Sequence, residues 1–355
     1  MKINFIVPGL FKSGGMRIIF EYANRFTDKG HDVKLYYPLI GYDLFKGKSN
    51  MKTKLKNYYW SFKYLKSRNK LLRNSYKRKF EIKSVPVISS LTVRNADFTI
   101  ATSWPTAYSV YNLNIKKGAK IYFIQDYEIW NSNVSRVDRS YQLNMHRITN
   151  SNYLKNLIKM KFDSDSKVIP NGVNFEVFKN ESKVFSKLSR ISFIDYDLSK
   201  KNSELAIRTS QKLKNAFPDL QFTCFGYDMF HALPDFISFI KNPSDEKIKE
   251  IYSNSDVYLF TSDVEGFGLP PLEAMACKCA VISTKVGIIP DYSIHNHSIL
   301  LIEPNDEHGL FMAVSDLLHN PDKLKTISLN GYEAVRKYFD WDKSVNEFED
   351  FMMKL

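Results

Sequence analysis

Ser262-Asp-Val-Glu265-Gly266-Phe267-Gly268-Leu269-Pro270-Pro271-Leu272-Glu273-Ala274-Met275 is the stretch on which the reading of this chain turns. It follows the apolar run Asp256-Val-Tyr-Leu-Phe260, which has the length and aromatic content of a buried strand. Two glycines then permit a tight loop. Two prolines lead into Leu-Glu-Ala-Met-Ala, a helix-forming composition; proline fits a first helical turn because its missing N–H has no partner there. Strand, glycine loop and helix N-terminus bring free amides and the positive end of a helix dipole to one point, which is an anion site. Glu265 and Glu273 frame it. An anion site between two carboxylates suits a ligand with a phosphate centre and hydroxyls on either side, as in a sugar nucleotide.

Outward from this stretch, the bulk composition sets bounds. A chain of 355 residues exceeds what one core usually organises, so two domains are expected. A hydrophobic content of 44% is ample for two buried sheets. The three cysteines, Cys224, Cys277 and Cys279, form no framework and read as core residues of a reducing compartment. The opening Met1 to Pro8 is too short for a signal peptide, and no apolar run approaches the ~18 residues of a membrane span. The net charge of +13 is concentrated between Lys46 and Lys83, where fourteen lysines and arginines stand against one acid, Glu81. Tyr58, Tyr59, Trp60, Phe62 and Tyr64 are interleaved with them. A solvated insertion, a nucleic-acid surface and a membrane-surface patch all suit that composition.

Two glutamates separated by seven residues, with Gly-Phe-Gly-Leu-Pro-Pro-Leu between them, resemble the signature of the retaining GT-B glycosyltransferases of family four, the group 1 glycosyltransferases. Acids at this spacing alone would fit any Rossmann-type loop; the matching residues between them carry the resemblance. It implies that Glu265 holds the hydroxyls of the transferred sugar and Glu273 the ribose. The amides of Gly266, Phe267, Gly268 and Leu269 then face the donor diphosphate.

The rest of the chain is consistent with that family. Residues 2–8 read as a strand, Gly9 to Gly15 as a loop, and Met16 to Lys29 as a helix with Ile18, Ile19, Tyr22, Ala23 and Phe26 on one side. A second strand, Asp32 to Tyr37, completes a βαβ opening. Gly14 and Gly15 occupy the place of the family's glycine pair and are expected at the donor. Strands at 98–101, 120–124 and 147–150 follow. The phrase Tyr122-Phe-Ile-Gln125-Asp126-Tyr-Glu-Ile-Trp130 is similar to a subgroup near the bacterial surface-polysaccharide rhamnosyltransferases. Gln125 and Asp126 stand near where many relatives have a pocket histidine, and are taken as sugar or acceptor contacts. Ile169-Pro-Asn-Gly-Val173 resembles the family's entry to a second domain, so boundaries are set at 1–169, with a crossover helix 341–355, and 170–340.

In the second domain the strand 190–194 leads to Asp195-Tyr-Asp-Leu-Ser-Lys200-Lys201-Asn202. The family places an arginine and, five residues on, a lysine here, both on the diphosphate. Lys201 matches the lysine and Lys200 is a neighbouring candidate; the arginine position holds Tyr196, and the glycine usual after the lysine is Asn202. Gly226, after the strand 221–225, is the remaining donor contact.

The expected architecture is α/β: GT-B, two Rossmann-like domains facing a cleft. The resemblance implies retaining, metal-independent transfer of a hexose from a UDP-, dTDP- or GDP-linked donor, with no cofactor, to an oligosaccharide or lipid-linked acceptor in surface polysaccharide synthesis. Glu265 and Lys201 would be the catalytic pair. Beside such a site the basic block, residues 46–83, favours an anionic membrane surface over nucleic acid, placing the protein in the cytoplasm on the inner membrane face. Tyr196 also admits a catalytically silent GT-B subunit that steers a partner enzyme. A nicotinamide-dependent dehydrogenase is disfavoured, since no Gly-x-Gly-x-x-Gly follows the first strand. Donor sugar, linkage and oligomeric state are not specified by these residues.

Overall fold

Parallel strands covered on both faces read as continuous apolar runs, and that pattern organises the chain in the computed structural model, which describes residues 1–10, 13–39, 42, 78–129, 133–185 and 188–355. Most of the basic block, including its aromatic cluster, lies outside the described residues. The chain divides into two compact units, residues 1–169 with 344–355, and residues 170–343.

In the first unit β1 (Lys2–Ile6) leads to α1 (Gly14–Asp28) and β2 (Asp32–Pro38). Ser13 caps α1, its hydroxyl accepting from the Met16 amide at 3.1 Å. The helix therefore begins at Gly14, and the glycine pair is its first turn rather than the preceding loop. β3 (Glu81–Val85), β4 (Phe98–Ala101), α2 (Trp104–Tyr111), β5 (Ala119–Ile124), α3 (Val134–Tyr141), β6 (His146–Thr149), α4 (Asn152–Phe162) and β7 (Lys167–Val168) follow. The sheet is parallel, in the order β3-β2-β1-β4-β5-β6-β7.

The second unit repeats the scheme with β8 (Arg190–Ile194), α5 (Ser203–Ala216), β9 (Gln221–Gly226), β10 (Ile237–Lys241), α6 (Asp245–Asn254), β11 (Val257–Phe260), α7 (Leu269–Ala276), β12 (Ala280–Thr284), α8 (Ile289–Tyr292), β13 (Leu300–Ile302), α9 (Glu307–His319) and α10 (Pro321–Tyr338). Its parallel sheet runs β10-β9-β8-β11-β12-β13. The core holds all three cysteines, buried and unpaired; burial pushes the Cys277 thiol up to about 12.

The last helix, α11 (Trp341–Met353), crosses back to the first unit; the division falls after Lys343, inside the helix rather than at its start. Phe348 packs edge-on against Tyr22, Phe26 and Phe123, with ring centroids 5.2, 5.6 and 5.7 Å away. Glu349 pairs with Lys29 Nζ at 2.5 Å and His31 Nε2 at 2.7 Å. His31 thus belongs to the seat of α11.

Candidate active site

In open α/β sheets, ligands bind outside the carboxyl ends of the strands. At that edge of the second unit, loops from the adjacent strands β9, β8, β11 and β12 meet. The loop after β11 is hung from the loop after β8: the amides of Asp263 and Val264 both donate to the Lys200 carbonyl, at 2.8 and 3.4 Å. Asn202 Nδ2 donates to Asp263 Oδ1 at 3.1 Å, and Thr261 Oγ1 to the Asn202 carbonyl at 2.9 Å.

This scaffold brings Lys201 and Glu265 together. Lys201 Nζ lies 2.5 Å from Glu265 Oε1, and Ser262 Oγ donates to the same oxygen at 2.9 Å. Ser262 is itself held by Thr284 Oγ1, which donates to its carbonyl at 2.5 Å. The Tyr196 ring covers Lys201 Nζ with its centroid 5.3 Å away, a cation–π contact at the position of the family arginine. The other departure has a conformational explanation. Asn202 has φ +45°, the left-handed region that glycine favours and asparagine tolerates.

Gly268 caps α7 at φ +100°, which a side chain would oppose, and starts the helix at Leu269. Glu273 is therefore the fifth helical residue, just past the first turn. Glu265 and Glu273 are both buried. Burial pushes the Tyr258 phenol far up, with Tyr196, Glu273 and Glu265 adding to the shift, so both carboxylates act on one buried ring. Phe267 turns its side chain into the core, 6.0 Å from the ring of Phe339; only its backbone lies along the loop, its carbonyl accepting from Ile288. Gly226 ends β9 where a Cβ would stand 2.5 Å from the Asp195 carbonyl, so a side chain there would part the β8 and β9 loops.

The sequence reading passed over His231. The buried Asp195 carboxylate accepts from the amides of Phe230 and His231 at 2.7 and 3.1 Å, and meets His231 Nδ1 at 2.5 Å. It fastens the loop after β9 to the end of β8. Nothing in the local pattern of either segment signals this pairing. In the first unit, Gln125 follows β5 with its amide group beside Gly15, since a Cβ on Gly15 would lie 3.6 Å from Gln125 Oε1. Asp126 Oδ1 accepts from the Tyr127 amide at 2.8 Å. Gly15 and Gln125 are thus neighbours, with Gly14 exposed next to them.

Two parallel α/β units of this kind are the architecture of the GT-B class of fold. Solved structures agree. A HepE structure from Anabaena in complex with UDP-glucose superposes with a TM-score of 0.76 over 100% of each chain, at 15% identity. The sucrose-phosphate synthase of Thermosynechococcus elongatus does so at 0.74, over 99% of this chain and 98% of the other, again at 15% identity. At such identities the likeness is one of fold. Residues 174–334, most of the second unit, match the family described as Glycosyl transferases group 1. An uncharacterized glycosyltransferase of Methanocaldococcus jannaschii is 27% identical over 202 residues, 54% of this chain and 55% of the relative. An N-acetyl-alpha-D-glucosaminyl L-malate synthase of Bacillus anthracis is 33% identical over 104 residues, 29% of this chain and 27% of the relative. The chain spans about half the length, or less, of these curated relatives.

Proposed function

We propose that this chain is a retaining glycosyltransferase that moves a hexose from a nucleotide diphosphate sugar to a saccharide hydroxyl. The observation that carries the reading is the Lys201–Glu265–Ser262 cluster at the foot of α7. Lys201 and the amides from Gly266 to Leu269 present positive charge where a leaving diphosphate would gather negative charge, and preorganised electrostatics of this kind is usually the largest catalytic effect. In the reaction the bond from the sugar's anomeric carbon to the phosphate oxygen breaks, and its electron pair stays on the diphosphate. The acceptor oxygen bonds to the anomeric carbon on the same face, and its proton passes to the departing phosphate oxygen. Glu265 orients the sugar hydroxyls and faces the positive charge developing on the ring; Glu273 takes the ribose. On the first unit, Gln125 and Asp126 are assigned to sugar or acceptor hydroxyls.

The reading requires neither metal nor other cofactor, because Lys201 and the amides meet the charge. The Asp195 and Asp197 pair resembles a metal motif in sequence, but Asp195 is occupied by Phe230 and His231. UDP-, dTDP- and GDP-linked hexoses remain the donor classes. A lipid-linked acceptor in bacterial surface polysaccharide synthesis, met on the inner face of the membrane, is supported by the charge of residues 46–83. Among the described residues no helix is long and apolar enough to cross a membrane.

A donor panel with EDTA tests the reading. Release of sugar from one donor, insensitive to EDTA and lost in Glu265→Gln, is expected; full loss with EDTA, restored by Mg²⁺, would overturn the metal-free mechanism. The Tyr196 ring over Lys201 favours one competing reading, a subunit that binds donor without turnover. Donor binding with no hydrolysis or transfer across the panel would select it.

A further inference from the structure

Between α2 and α3 of the first unit lies a cavity of about 550 Å³. Tyr108 and Tyr111 line it from α2, Arg136 and Arg139 from α3, and Gln142 and Asn144 from the turn that follows. A second hollow of about 410 Å³ shares Asn144 and continues past it. Asn144 precedes the amino end of β6, whereas Gln125 follows the carboxyl end of its parallel neighbour β5. The cavity is therefore a strand's length from the Gly15–Gln125 group, at the opposite edge of the same sheet.

Arg136 and Arg139 are both exposed, so the hollow is open to solvent and positively charged. Arg136 and Arg139 are three residues apart and so share one side of α3, where like charges repel. Among the described residues neither has a carboxylate partner: Arg139 Nε donates to the Ser135 carbonyl at 3.2 Å, and the Arg136 guanidinium rests 5.4 Å from the Trp104 ring centroid. The acids on neighbouring positions are engaged elsewhere, Glu128 by the Trp104 amide and Asp138 by the Tyr127 hydroxyl. Tyr108 is fixed by its hydroxyl, which donates to the Arg136 carbonyl at 2.7 Å. Lys120, in the second hollow, is spent on the carbonyls of Tyr111 and Leu113.

We propose that this cavity binds an acidic sugar residue, a saccharide ring bearing a carboxylate or phosphate. Paired guanidinium forks match such an anion in two-point geometry. The tyrosine rings offer apolar faces with negative π density to the C–H face of a sugar ring. The side-chain amides of Gln142 and Asn144 each supply donor and acceptor, the set that hydroxyls need. The volume falls within the range of small-molecule sites. The inference is independent of donor chemistry at Glu265 and holds even for a chain without turnover.

Calorimetry on the full chain at low ionic strength tests it, with a hyaluronan tetrasaccharide as the acidic probe, chitotetraose as the neutral one, and inorganic phosphate. The acidic tetrasaccharide should bind, and Arg136→Gln with Arg139→Gln should weaken it by about tenfold or more, the loss of one to two charge-assisted hydrogen bonds. Tyr111→Ala should also weaken it, while Lys325→Gln, an exposed charge in the other unit, should leave it unchanged. Thermal melts matching wild type would show that the variants fold; a single Arg139→Gln variant serves if the double one does not. Equal binding of chitotetraose, equal displacement by phosphate alone, or indifference to the arginine changes would each overturn the site. So would a preference for anionic vesicles over the tetrasaccharide that the same arginines control.

Discussion

Lys201 Nζ and Glu265 Oε1 stand 2.5 Å apart, on side chains only 16% and 9% exposed. Ser262 donates to the same oxygen, and Oε2 takes neither contact. A pair this buried is costly to break from one side, because the surviving charge is left in a poorly solvated place. Glu265→Gln keeps the shape and removes the charge. It should lower turnover by about 10²–10³-fold, the cost typical of one lost transition-state contact, and leave nucleotide diphosphate affinity nearly intact. Glu273→Ala should do the reverse, weakening the bare nucleotide diphosphate by one to two decades, or about 1.5–3 kcal/mol. Calorimetry and steady-state rates on the two variants separate these roles. Unchanged nucleotide affinity in Glu273→Ala would remove the ribose assignment.

Tyr196 puts an aromatic ring where the family has a guanidinium, and its amide is held by Ser203 Oγ at 3.0 Å. Tyr196→Arg should therefore keep the loop but add a second cation beside Lys201. Without ligand the two cations repel, so the variant should melt below wild type. With nucleotide diphosphate it should bind about tenfold more tightly, since a charge-assisted bond to phosphate contributes about 1.5 kcal/mol or more. Melting curves with and without UDP measure both. A variant that gains no affinity would show that the diphosphate does not pass this position.

Asn202, at φ +45°, combines backbone tolerance with a side-chain bond to Asp263. Asn202→Ala should lose both and cost roughly 1–2 kcal/mol, the sum of a left-handed alanine and a lost hydrogen bond. Asn202→Gly should lose only the bond and fall between the two in chemical denaturation. Equal stability of the alanine variant and wild type would contradict the conformational account.

The alternation of strand and helix was legible because central parallel strands such as β8 and β11 are apolar along their length. Two edge strands, β3 and β10, were not. β3 and β10 each present mostly half-buried or exposed residues, so neither produces the apolar run by which a strand is recognised. α3 escaped for a similar reason: only Val137, Ser140 and Tyr141 are buried on it. At the candidate site, Glu265, Glu273 and Lys201 could be named because each lies in a short stretch that resembles the family's pattern. Asp195 and His231 could not, since their bond links two loops far apart in sequence and depends on β8 and β9 being neighbours. Ser262 lay within the quoted stretch, but its role follows from the loop's curvature, which residue identity does not give.

Glu349 ties α11 to the first unit. Burial opposes its ionisation, but hydrogen bonds from Lys29 and His31 outweigh that and hold its carboxyl below the ordinary value of 4.5. A depressed carboxylate adds stability that is complete above its unfolded value and is lost as pH falls through the folded one. Glu349→Gln should accordingly cost about 1 kcal/mol at neutral pH, with the gap to wild type closing as pH drops below about 4.5. Denaturant titrations at a series of pH values would show this; a gap that stays constant into acid would mean that packing, not charge, is what the glutamate contributes.

The basic block offers the test with the widest consequence. Most of its lysines and the aromatics from Tyr58 to Tyr64, outside the described residues, precede β3 of the first unit in sequence. Each Lys or Arg held near anionic lipid contributes up to about 1 kcal/mol, over a range of ~8 Å at physiological salt. Binding to anionic vesicles, weakening as salt rises and absent on neutral ones, is the expected outcome. Changing Lys52, Lys54, Lys56, Lys63 and Lys66 to Gln should release the protein from the vesicles. Donor binding should persist in that variant, because Lys201, Glu265 and Glu273 all belong to the second unit. Sedimentation at two salt concentrations measures the first effect, and calorimetry with nucleotide diphosphate the second. Wild-type protein left in the supernatant at low salt would end the membrane proposal, leaving the block as a solvated insertion and the donor chemistry untouched.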